Sequence, residues 1–214
     1  MGVAVIVGFL LDEEEGEALD WSIKALEALN RVLASNRLPP HLEPAGGPPI
    51  ESRSPLDSLP YSYIHYLRRL YVRWRAAPSF TADMLPADGD PTEDPLLVAA
   101  YSNRSEPSHL VAHSDCLGFY VPMDFPRVLV ADPRYDDYLG GMVGSSHRLR
   151  AELESIAPIL GIRLHDGRLD DAEIERLFAL TAQEEGSFRE IETWVVLHEA
   201  ARLSIENEAV VAFC

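Results

Sequence analysis

Residues 109–132 read HLVAHSDCLGFYVPMDFPRVLVAD. Apolar runs rich in β-branched and aromatic residues, broken by one polar cluster, predict consecutive strands. Asp115, Cys116, Leu117 and Gly118 occupy the turn, so 109–121 reads as a β-hairpin with Tyr120 and Val121 on the returning strand. Pro122 limits how far that strand stays central, because proline donates no ladder hydrogen bond. A further strand is expected at 128–131. The same stretch places His113, Ser114, Asp115 and Cys116 in succession, the densest chemistry in the chain.

Toward the amino terminus, 3–10 is short, β-branched and apolar, as expected of a central strand covered on both faces. Asp12 and Glu15 form a capping box, and the acids at 12–15 suit the positive end of a helix dipole. Leu19, Ile23, Leu26, Leu29 and Leu33 then recur at helical steps and predict one buried stripe. Proline-rich stretches near 39–59 and 77–95 read as long loops. Between them Pro60 suits a helix start, and Ile64, Leu67, Leu70, Tyr71 and Trp74 give that helix an apolar side.

This helix interleaves Arg68, Arg69, Arg73 and Arg75 with Tyr61, Tyr63, Tyr66 and Tyr71. Arginine beside aromatic rings can grip an anion. In so acidic a chain the stronger expectation is pairing with nearby carboxylates while the stems cover apolar surface. Asp88, Asp90, Thr92 and Asp94 alternate like a calcium loop, but Glu93 and Ala99 stand where that loop needs glycine and glutamate, so no calcium site is expected. Residues 96–101 suit a strand or a short helix.

Toward the carboxyl terminus, Gly140, Gly141 and Gly144 precede a helix from Ser145 or Ser146, with Leu149, Leu153, Ile156 and Leu160 on one face and Pro158 to end or kink it. Asp170 with Glu173, and Ser187 with Glu190, are capping boxes for two more helices. The last carries Ile191, Trp194, Val195, His198, Ala201 and Ile205 on one side. A strand at 209–213 closes the chain, and the two terminal strands are expected side by side. Together these elements predict an α+β fold: one globular domain over 1–214, with a small, mostly antiparallel sheet and about five helices packed on it.

The chain has 35 acidic and 18 basic residues, a net charge of −17. Nucleic acid is therefore an unfavourable partner, since its phosphates are held by clustered lysine and arginine. A basic protein partner fits better. Two cysteines, Cys116 and Cys214, are too few for a disulfide framework and point to a reducing, cytoplasmic setting. No apolar run approaches the roughly 20 residues needed to span a bilayer, so no membrane partner is expected.

Three constellations bear on chemistry. Cys116 is a candidate nucleophile with His113 as its base, although neighbouring strand residues face opposite ways. His113, Asp115, Cys116 and a more distant His109 or Asp132 include metal-binding types, but their spacing matches no zinc pattern. The helix proteinase motif begins at His198 and Glu199, yet Arg202 replaces its second histidine, so no metal and no cofactor are assigned. The glycine-rich turn at 139–147 offers amides and the hydroxyls of Ser145 and Ser146 to a small anionic ligand, with no strand leading straight into it. Should that turn meet the hairpin, His113, Asp115, Gly118, Tyr120, Ser145, Ser146 and His147 would make a polar ligand pocket.

The leading functional expectation is a non-catalytic acidic binding protein, an inhibitor, immunity-type or accessory protein for a basic protein partner. The alternative is a small-molecule-binding or hydrolytic enzyme using Cys116, His113 and the turn at 140–147.

Overall fold

A computed structural model describes residues 2–11, 16–46, 50–53, 58–77, 79–85, 89–135 and 139–213. The expected α+β class is what the chain adopts. Among the described residues, seven α-helices pack with a five-stranded sheet and a two-stranded one. The strands are β1 (Gly2–Val3), β2 (Val5–Val7), β3 (Leu59–Pro60), β4 (Gly118–Val121), β5 (Leu129–Val130), β6 (Met142–Ser145) and β7 (Val211–Phe213). The helices are α1 (Glu17–Ser35), α2 (Tyr61–Ala76), α3 (Pro95–Ser102), α4 (His109–Ala112), α5 (Ser146–Ile156), α6 (Asp171–Thr181) and α7 (Phe188–Asn207).

The large sheet runs β2-β7-β4-β6-β5. Three of its four pairings are antiparallel, and β4 with β6 is parallel. After β4 the chain passes beyond the place of β6, lays down β5 at the edge, and turns back to insert β6 between them. Gly140 and Gly141, at φ 56° and 80°, make that return in the left-handed region that glycine enters without penalty. The terminal strands do lie side by side, with Val5 opposite Phe213 and Val7 opposite Val211.

Layering explains the continuous burial of β4 and β7. Phe119, Val121 and Ala212 face a core closed by Ala25, Ala28, Leu29, Val32 and Leu33 of α1. Tyr120, Val211 and Phe213 face the opposite core, closed by α2, α5, α6 and α7. Helix α7 buries fourteen side chains, nearly all around its axis, because it packs on α2, α5 and α6 as well as on β2. Trp194 anchors it, donating from Nε1 to the Leu153 carbonyl at 2.7 Å.

Several expectations need correction. The segment 3–10 is not a central strand: it divides at Ala4, and β2 lies at the sheet edge with Ile6 43% exposed. The capping box at Asp12 and Glu15 lies outside the described residues, and α1 begins after Gly16 without a side-chain cap. The stripe on α1 is also rotated. Small residues Ser22, Ala25 and Ala28 join Leu29 and Leu33 against the sheet, leaving Ile23 exposed.

The expected hairpin does not form either. Residues 109–112 are one helical turn, because Ser108 caps it through the Val111 amide and Glu152 of α5 accepts from Ser108 Oγ and the amides of His109 and Leu110, each at 2.8 Å. At the other caps, Asp170 accepts from the Glu173 amide at 2.7 Å, whereas Ser187 makes no side-chain cap bond. Contrary to expectation, a strand, β6, leads directly into the helix at Ser146. Residues 96–101 are helical, capped by Asp94 and opened by Pro95.

Candidate functional site

The hairpin segment and the glycine turn meet, because β4 and β6 are neighbours with Tyr120 opposite Gly144 and Val121 opposite Ser145. What they enclose is packed. The His113 ring stacks on Tyr120 with centroids 4.1 Å apart, and both side chains are buried. Its Nε2 lies 3.1 Å from the Phe119 carbonyl and its Nδ1 3.2 Å from that of Ser114. Burial pushes its pKa down to about 4. Glycines make room for this stack: a Cβ on Gly118 would lie 2.9 Å from His113 Cε1, and one on Gly144 only 2.4 Å from Tyr120 Cδ1.

The polar groups of Tyr120, Ser145 and Ser146 are engaged outside this stack. Tyr120 donates its hydroxyl to the His109 carbonyl at 2.9 Å, and burial raises its phenol pKa. Ser145 caps α5 through the Arg148 amide and donates from its own amide to His109 Nδ1 at 2.9 Å. The hydroxyl of Ser146 meets that of Ser204 at 2.7 Å. His147 is exposed on the first turn of α5. Cys116 Sγ lies 3.7 Å from Ser114 Oγ, while both ring nitrogens of His113 face backbone carbonyls. Thiol and imidazole are thus not paired. Cys214 lies outside the described residues.

Asp115 joins a cleft of about 550 Å³ that Arg68, His113 and Ser114 also line, together with His65 and Tyr101, whose part in it the sequence does not signal. Tyr101 donates its hydroxyl to His65 Nδ1 at 2.6 Å, and His65 Nε2 lies 2.9 Å from Asp115 Oδ2. These residues sit on α3, on α2 and before β4. Burial, with Arg68, lowers the His65 pKa against the pull of Asp115. The interleaved tyrosines and arginines of α2 pointed to this helix, but nothing in the sequence joins His65 to Tyr101, 36 positions away.

Arginine usage defines the exterior. Arg68 is buried and spends its donors on the carbonyls of Leu110, His113 and Ser114 at 2.7–2.9 Å. Arg73 pairs with Asp94 at 2.6 Å, and Arg75 with Glu106. Arg163 and Arg176 clamp the buried Glu173 at 2.6 and 2.5 Å, and the Arg176 guanidinium, against the effect of burial and with help from Arg163, holds that carboxyl at about 2. Arg202 bridges Glu199 and Glu206. The basic minority is thus largely consumed within the fold. Exposed carboxylates remain without an ion-pair partner among the described residues: Glu17 and Asp20 on α1, Asp83 and Glu93 on short 3-10 turns, Asp166, Glu175, Glu184 and Glu185 on or beside α6, and Glu208 after α7.

A family described as "Putative DNA-mimic protein" matches residues 1–213 of the chain. The chain belongs to this DNA-mimic family. No curated protein and no solved structure matches it. Membership of the DNA-mimic family corrects the partner reading, which kept a generic basic protein and a small anionic ligand side by side: a basic protein fits a DNA mimic, and the family narrows it. For a DNA mimic, nucleic acid is the object imitated, and the partner class becomes proteins that bind DNA. A role in protein binding agrees with the expected acidic binding protein. Among the described residues, no helix is long and apolar enough to cross a membrane.

Proposed function

We propose that this chain inhibits a DNA-binding protein by occupying its DNA-contacting surface in place of duplex DNA. One observation carries the reading: intramolecular pairs absorb most of the arginines and leave exposed carboxylates as the outward charge. Duplex DNA carries one charge per roughly 1.7 Å of axis, so a net charge of −17 equals that of roughly 29 Å of duplex. Carboxylate and phosphate also accept the same forked donors of arginine, so a surface shaped for one can take the other. Long-range attraction between such surfaces speeds encounter and weakens as salt screens it.

Capture on the immobilised chain tests this reading. Proteins retained from an extract of the cells that make it should be enriched in DNA-binding proteins, and added duplex DNA should displace them. Retained proteins that duplex DNA leaves in place would count against the proposal.

A further inference from the structure

The corner between α6 and α7 holds a groove of about 560 Å³, within the range of clefts that accept a ligand or several side chains of a partner. Its floor is apolar, with Leu177 from α6, Val195 and Val196 from α7, and Leu59 from β3, all buried. Phe178 lines it too and is 39% exposed, a large ring left in water beside a covered leucine. Glu184 and Glu192 supply the charge, and among the described residues no lysine or arginine lines the groove. Arg189 is held over the rings of Phe188, Tyr66 and Tyr63 at 4.5, 4.9 and 5.9 Å.

The two carboxylates feel each other. Burial, with the charge of Glu184, holds the Glu192 carboxyl above its ordinary range. Neither has an ion-pair partner among the described residues, so the groove sets the partly exposed Phe178 ring beside a buried apolar floor, with negative charge that no described residue lining it balances.

We infer that this groove receives a basic amphipathic helix of the DNA-binding partner, with apolar side chains on Phe178, Leu177 and Val196 and arginine or lysine side chains at Glu184 and Glu192. The inference rests on the DNA-mimic reading and adds to it the place and shape of contact. Charge complementarity selects a basic occupant. The floor selects a helix face, since a lone cation would satisfy the carboxylates and leave Phe178 in water. DNA-binding proteins commonly insert such a helix into the major groove, so a groove of matching sign offers that helix an equivalent seat.

The probe is a fluorescein-labelled synthetic helix of roughly 18 residues built from leucine, alanine and arginine, with leucines along one face. Its control has the same composition scrambled so that no face is apolar. On the full chain the ordered peptide should bind at least about tenfold tighter than the scrambled one, and Phe178→Asp should remove about that factor, as truncating a buried aromatic anchor does. Glu192→Gln should weaken binding and flatten its salt dependence. Independently of any variant, methyl signals of Leu177, Val195 and Val196 in the unaltered chain should shift on adding the ordered peptide. Equal binding of both peptides with those signals unmoved overturns the groove while leaving the DNA-mimic reading intact, because it means that arginine collects on acidic surface without regard to shape. Failure of both peptides to bind at low salt removes the groove and counts against the mimic as well.

Discussion

The ring of His113 lies 4.1 Å from the ring of Tyr120 and within 22° of parallel to it, in the layer between the sheet and the helices. His109, whose carbonyl holds the Tyr120 hydroxyl, is buried nearby, and burial pushes its pKa also to about 4. Both imidazoles are therefore neutral inside the fold at neutral pH. In the unfolded chain they take up protons near pH 6.5. Between about 6.5 and about 4 the unfolded state binds more protons than the folded one, so stability falls as pH drops through that window. Urea unfolding at pH 7 and pH 4.5 should show a loss on the order of a few kcal/mol. An unchanged midpoint would mean that these rings are already exposed or already charged.

Gly144 fits the same stack by having no side chain. A Cβ there would sit 2.4 Å from Tyr120 Cδ1 and 3.1 Å from His113 Cδ2, in a region where neither ring has free space. Gly144→Ala should destabilise the protein by about 2 kcal/mol, the scale of overpacking a filled core. Thermal unfolding measures it, and an unshifted transition would show that the two rings are not packed as described.

Glu173 should behave in the opposite sense to the histidines. Its carboxyl is held at about 2, so its contribution is complete above the unfolded value near 4.3 and disappears as pH falls toward 2. Glu173→Gln should lower stability at pH 7 by about 1.5 kcal/mol, because two solvent-accessible guanidiniums lose their charge-assisted hydrogen bonds to it. The difference from the unaltered chain should shrink below pH 4. A pH-independent difference would assign the loss to packing instead of charge.

The pattern of what could be read in the sequence follows from physical range. Elements governed by local chemistry were legible: Asp170 capping α6, Pro60 at the start of α2 and the apolar closing strand at 211–213 all act within a few residues. The failures came from distant partners. Residues 109–112 form a short apolar run like a strand, but Glu152, more than forty positions away, accepts from the amides of His109 and Leu110 in a helical turn. The strand-like 3–10 segment lost the sheet centre to β7 and β4, whose side chains are covered on both faces. In the site, adjacency misled in the same way. His113 and Cys116 are neighbours in sequence but unpaired in space, whereas His65, Tyr101 and Asp115 converge from three elements.

Surface charge should be separable from stability. Glu175, Glu184 and Glu185 are exposed and have no ion-pair partner among the described residues. Changing all three to glutamine should alter unfolding free energy by no more than about 0.5 kcal/mol per site, as for surface positions outside any cap or network. The same variant should bind a DNA-binding partner more weakly and with a shallower dependence on salt. Unaltered affinity would place the contact on another face.

Displacement of DNA decides the central claim most directly. A DNA-binding protein captured by the chain is loaded with a fluorescent duplex, and the chain is titrated in while anisotropy is followed at low and moderate salt. Release of the duplex to completion, with a midpoint that rises as salt is added, is the expected result. Simultaneous binding of the chain and the duplex to the same protein, with anisotropy undiminished, would contradict it.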